Sequence, residues 1–189
     1  MAIKTIGVIG AGTMGNGIAQ VCAVAGLDVV MVDISAEAVQ RGLGVVAGSL
    51  DRLLKKEKIS QADRDAAVAR IRGSTAYADL AGADLVVEAA TENESLKLRI
   101  LKEIDAIVAP AAVIASNTSS LSITKLAAAV SHPDRFVGMH FFNPVPLMAL
   151  VELIRGLQTS DATLAAAQGF AATIGKTAIV AKNSPGFAV

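Results

Sequence analysis

Of the two histidines in the chain, His140 stands in a setting suited to proton transfer. It lies near the end of an apolar run over 135–141, followed by Phe142, Asn143 and Pro144. A second apolar run, 150–154, carries a single acid, Glu152, between Val151 and Leu153. A carboxylate among aliphatic residues is costly unless it is paired. If the two runs form an antiparallel pair turning at Pro146, His140 and Glu152 face each other. A carboxylate beside an imidazole holds its tautomer and stabilises the imidazolium, which suits a general base that takes a proton from an alcohol. The same spacing also suits an ion pair that only builds a buried hairpin, and spacing alone does not separate the two readings. His132 precedes Pro133 in a polar stretch and reads as solvated.

A second constellation opens the chain. Gly10-Ala11-Gly12-Thr13-Met14-Gly15 fits G-x-G-x-x-G, and Asp33 follows Gly15 by 18 residues at the end of the next apolar run. Gly10 allows a tight turn, Gly12 lets the backbone approach a pyrophosphate, and Gly15 lets a helix pack on its strand. Thr13 and Met14 begin the helix whose N–H groups and dipole point at the phosphates. Asp33 can accept hydrogen bonds from the adenosine ribose and would repel a 2′-phosphate, which favours NAD over NADP. The motif fixes a dinucleotide more firmly than it fixes which one, because FAD uses a similar fingerprint.

Ser116-Asn117-Thr118-Ser119-Ser120 follows the run 112–115. Small polar residues at the C-terminal end of a strand sit where open α/β sheets bind ligands. They can also cap a helix beginning near Ile123. Ser49 and Lys56 lie seven apart on one predicted helix and so share a face, near Lys55 and Lys58; taken alone, that face reads as solvated. Two distant histidines and one cysteine give no metal-ligand spacing. Cys22 continues the stripe Met14, Ile18, Val21, Cys22, Ala25 and reads as a small buried hydrophobe.

These side chains need a scaffold. The apolar pattern predicts strands over 3–9, 29–32, near 74–75, 84–88, 112–115, 135–141, 150–154 and 178–181. It predicts helices to about 25, from 36 behind a Ser35 cap, over 60–71, over 95–108, from near 123, and over 162–174. Strands apolar on both faces, alternating with helices, predict an α/β fold with a Rossmann-type doubly wound sheet. The sheet is expected to be mostly parallel with antiparallel last strands, with an inserted helical pair over about 36–72. The organisation expected is one NAD-binding domain over 1–184, with 185–189 opening a linker to an absent C-terminal domain. With 17 basic and 17 acidic residues, the formal charge is zero, which gives nucleic acid and anionic membranes no electrostatic hold. The uncharged stretch 5–27 is broken by six glycines, too polar for a targeting or spanning segment, and the chain reads as cytoplasmic.

The whole chain resembles the (S)-3-hydroxyacyl-CoA dehydrogenase family. The resemblance rests on the glycine motif from Gly10, Asp-Leu-Val-Val-Glu-Ala from Asp84, Ser-Asn-Thr-Ser-Ser-Leu from Ser116, His-Phe-Phe-Asn-Pro-Val-Pro from His140, and Ser-Pro-Gly-Phe from Ser184. It implies NAD as cofactor and a 3-hydroxyacyl-CoA, short-chain by preference, as substrate. It implies His140 as the general base, Glu152 as its orienting partner, Ser119 as hydrogen-bond partner of the reacting oxygen, and Asn143 in the same pocket. Glu92, Lys97 and Asn117 are implied at the nicotinamide end of the cofactor or around its pocket. Ser49 and Lys56 fall where the family's inserted helices, a mobile lid, meet coenzyme A. A homo-oligomer formed through a helical C-terminal domain is likewise implied. The chain departs from the family at Ala149, where members often carry Lys. Two alternatives stand beside this reading: a dehydrogenase of a free hydroxy or sugar acid on the same framework, and a truncated NAD-binding module with little turnover.

Overall fold

The computed structural model of the chain describes residues 3–184. Its strands are β1 (Thr5–Ile9), β2 (Asp28–Val32), β3 (Ile71–Ser74), β4 (Leu85–Glu88), β5 (Val113–Ser116), β6 (Phe136–Phe141), β7 (Leu150–Arg155) and β8 (Thr177–Lys182). Its helices are α1 (Thr13–Val24), α2 (Ala36–Lys55), α3 (Gln61–Ala69), α4 (Glu94–Asp105), α5 (Ile123–Ala127) and α6 (Asp161–Thr173). All eight strands join one sheet in the order β3-β2-β1-β4-β5-β6-β7-β8. Order reverses between β1 and β4, and the strands from β3 to β6 in that order are all parallel. β7 runs antiparallel to β6, and β8 runs parallel to β7. The expected doubly wound sheet with reversed last strands is therefore the observed one.

Two apolar layers cover the sheet. On one face, Ile18 and Cys22 of α1, Val46 and Leu50 of α2, Ala67 of α3 and Phe170 of α6 pack against Val8, Val87 and Met139. On the other, Ile100, Leu101 and Ile104 of α4 and Leu126 of α5 pack against Ile9, Val86, Ile114 and Phe136. Every residue of β4 and β5 is buried, as a parallel strand covered on both faces requires. Cys22 is part of this core, and burial pushes its thiol pKa far above the ordinary range.

The helical pair connects β2 to β3. Ser35 caps α2 through the Ala38 N–H, and Ser60 with Asp63 forms a capping box on α3. The expected boundary of the pair needs correction. The second helix stops at Ala69, not 71, and the strand expected near 74–75 begins at Ile71. Ile71 and Arg72 pair with Val29 and Val30, so sheet pairing takes residues that local pattern assigned to the helix. The stretch expected to open a linker, 185–189, lies outside the described residues.

Candidate active site

The β6–β7 hairpin sets His140 directly opposite Glu152. Nδ1 of His140 lies 2.7 Å from Oε2 of Glu152. The Glu152 side chain has no exposed surface, and that of His140 is 15% exposed. With Glu152 ionised, Nδ1 carries the imidazole proton and donates it, which places the lone pair on Nε2. Phe142 packs its ring 4.6 Å from the imidazole, tilted by 47°. Asn143 is exposed on the loop that follows, before a cis bond to Pro144. Phe141 N–H donates to Oδ1 of buried Asn117 at 2.9 Å, so the end of β5 also holds the end of β6.

The polar loop after β5 divides its hydroxyls between two tasks. Ser116 donates to Oε2 of Glu88 at 2.9 Å, and Thr118 donates to Oε2 of Glu92 at 2.8 Å. Glu92 also accepts the Ser119 N–H at 3.1 Å, tying the loop after β4 to the loop after β5. Ser122, not this stretch, caps α5 by accepting the Lys125 N–H. Ser119 and Ser120 are exposed. The surplus of hydroxyls thus includes two that serve carboxylates of the protein, one buried at Glu88 and one exposed at Glu92.

At the sheet's switch point, Gly10 holds φ at +99° and donates its N–H to the Val32 carbonyl at 2.8 Å. A Cβ at Gly10 would meet the Ala89 carbonyl oxygen at 2.7 Å, and one at Gly15 would sit 1.7 Å from the Gly10 carbonyl oxygen. Gly12 is different: a Cβ there would meet no atom within 4 Å. Gly12 is also the N-cap of α1, with no side-chain cap and no acid in the first turn. That helix end, with exposed Thr13 and half-buried Met14 behind it, is open to an anion. Asp33 accepts the Ala11 and Ile34 N–H groups, both at 2.7 Å, so its carboxylate is fixed beside the loop. It lines a cleft of about 490 Å³ with Gly10, Ile34, Tyr77, Ala90 and Arg99.

Residues 5–184 match the family described as the NAD binding domain of 3-hydroxyacyl-CoA dehydrogenase. This chain belongs to the 3-hydroxyacyl-CoA dehydrogenase family. It is 49% identical to a 3-hydroxybutyryl-CoA dehydrogenase of Bradyrhizobium diazoefficiens over 99% of the chain and 64% of that protein. It is 44% identical to a fatty acid oxidation complex subunit alpha of Pseudomonas putida, over 99% of the chain and 26% of that protein. The crystal structure of (S)-3-hydroxybutyryl-CoA dehydrogenase PaaH1 from Ralstonia eutropha superposes with a TM-score of 0.98 at 66% identity, covering all of this chain and 66% of that one. A 5-formyl-3-hydroxy-2-methylpyridine 4-carboxylic acid 5-dehydrogenase, described as an NAD+ dependent dismutase, superposes with a TM-score of 0.89 at 35% identity, over 99% of this chain and 60% of that one. The chain spans less than two thirds of the length of these curated relatives.

Within this 3-hydroxyacyl-CoA dehydrogenase domain, the remaining expected site residues divide. Lys97 is fully buried, and its ammonium lies 2.6 Å from Glu88 and 3.3 Å from the Ser116 hydroxyl. In this structure it holds the wall of the site and presents no surface to a cofactor. Ser49 and Lys56 lie on α2 and at its end: Ser49 half-buried, Lys56 exposed at the C-cap. They continue the helical stripe of Gly42, whose missing Cβ would meet the Ala11 carbonyl oxygen at 2.8 Å. At 1.5 Å per residue, Lys56 lies about 21 Å along the axis from that contact. Glu88 and Ser116 have structural roles that sequence reading did not give them. The signal for Glu88 was an acid closing an apolar strand, as at Asp33.

Proposed function

We propose that residues 1–184 form the NAD-binding and catalytic domain of an enzyme that interconverts (S)-3-hydroxyacyl-CoA and 3-oxoacyl-CoA, with short-chain substrates such as 3-hydroxybutanoyl-CoA. The observation that carries this reading is the 2.7 Å contact between His140 and buried Glu152 at the sheet's open end, in a chain of this family. NAD fits the residues present: open space at Gly12, an uncapped helix end, and a fixed carboxylate at Asp33. When bound, NAD supplies the hydride acceptor.

His140 takes the proton of the substrate's 3-hydroxyl on Nε2 as C3 becomes a carbonyl. Glu152 holds the proton on Nδ1 and balances the imidazolium that forms. The Ser119 hydroxyl hydrogen-bonds the reacting oxygen, with Asn143 beside it. Glu92 and Asn117 border the nicotinamide end, with Lys97 bracing the wall behind, and Ser49 and Lys56 take the CoA moiety. In the whole protein we expect a homo-oligomer formed through a C-terminal helical domain, located in the cytoplasm. Among the described residues, no helix is long and apolar enough to cross a membrane.

The test is acetoacetyl-CoA-dependent NADH oxidation, run on this chain and on the chain joined to the C-terminal third of the Ralstonia relative. Turnover by the joined protein is the expected result. NADH binding without turnover in both would remove the CoA substrate and favour a free acid, as the pyridine carboxylic acid dehydrogenase at 35% identity suggests.

A further inference from the structure

The turn between His140 and Glu152 is held from outside the hairpin. Lys176 follows α6, where Gly175 takes φ +72° and the Lys176 N–H returns to the Ala171 carbonyl. From that anchor its ammonium donates to the Val145 and Met148 carbonyls, both at 2.5 Å. Both partners are backbone carbonyls rather than carboxylates, and burial lowers the Lys176 pKa. The adjacent Thr177 N–H donates to the Ala149 carbonyl at 2.8 Å. Inside the turn, Pro144 accepts the Leu147 and Met148 N–H groups. On its far side, Val145 seats against α1, where a Cβ at Gly17 would come within 2.9 Å of the Val145 Cβ.

The turn is therefore gripped between the cofactor helix and the end of α6. It is also the segment that joins the imidazole to its carboxylate and carries Asn143. An ammonium spanning two carbonyls ties Val145 and Met148 of the turn to one point, and a charge-assisted bond is stronger than the neutral contacts around it. We propose that Lys176 is a positioning residue for the reaction: by clamping the turn it holds His140 in register and in tautomer against Glu152. The inference rests on the base role proposed for His140, but its main readout needs no turnover.

The chain is compared with Lys176→Met and Lys176→Arg. Long-range 1H–15N spectra report the imidazole tautomer, with His140→Gln separating His140 from His132. The parent and Lys176→Arg are expected to show the Nδ1–H form. Lys176→Met, with unchanged circular dichroism and NADH affinity, is expected to mix in the Nε2–H form. In the joined protein, acetoacetyl-CoA turnover by the Lys176→Met variant is expected to fall about 10²-fold, the scale of a small misplacement at a reacting centre. A folded Lys176→Met protein with a parent-like imidazole spectrum overturns the proposal, whatever its turnover. If Lys176→Met does not fold, Lys176→Gln, which keeps a donor but no charge, is read by the same criterion. A changed tautomer in a protein whose parent never turns over acyl-CoA would leave the clamp standing and remove the substrate reading instead.

Discussion

The glycine loop and the β6–β7 hairpin build their chemistry by opposite means. At the loop the working parts are backbone groups and empty space: the open face of Gly12, the packed face of Gly15, and N–H groups at the start of α1. At the hairpin they are side chains held in register, the imidazole of His140 against the buried carboxylate of Glu152. The loop tolerates no added atom on its inner side, whereas the hairpin tolerates no lost one. On the proposed reading, the site of absent side chains holds the cofactor. On the same reading, the site of present side chains acts on the substrate.

Substitutions can break this contrast, and the largest effect belongs to the loop. Gly15→Ala sets a Cβ 1.7 Å from a carbonyl oxygen of the backbone, which cannot yield as a flexible side chain would. We expect at least about 3 kcal/mol of destabilisation, the upper range for overpacking, and a large loss of melting temperature in thermal unfolding. At the hairpin, His140→Gln keeps the shape but removes the base. Turnover of the joined protein should drop by about 10²-fold or more while NADH affinity holds; turnover within a factor of about two of the parent would sink the base assignment. The smallest effect sharpens the contrast within the loop itself. Gly12→Ala adds its methyl to open space at φ −73°, so the melting temperature should stay close to that of the parent. Titration should nonetheless show NADH binding weakened about tenfold, because the methyl stands where the pyrophosphate approaches. Equal loss of stability in the two glycine variants would erase the distinction.

What was legible in the sequence follows the same divide between local and distant. The glycine loop, Asp33 and the facing of His140 and Glu152 come from short spacings, where period and turn dictate geometry. The start of β3 was not legible, because no Gly or Pro separates Ala69 from Ile71, and only pairing with β2 makes Ile71 a strand residue. Nor was the buried cluster of Glu88, Lys97 and Ser116, which draws one residue each from β4, α4 and β5. Asn117 shows the same limit. Its side chain reads as a loop amide, yet it accepts a backbone N–H 24 residues away. The sequence pattern places such residues near the site; which partner each one takes is decided by how the sheet stacks its strand ends.

The spacing between partners also orders assembly in time. The carboxylate of Asp84 accepts the N–H groups of Lys4 and Thr5, at separations of 80 and 79 residues, and the Gly10 turn closes against Ala89. His140 and Glu152 are 12 apart. Closing a short loop costs less chain entropy and takes less time than closing a long one. During synthesis the glycine motif emerges before the hairpin, yet it waits for its neighbours in β4 before it can close. The hairpin emerges later and can pair as soon as its second strand leaves the ribosome. The earlier of the two segments is thus the slower to reach its working shape.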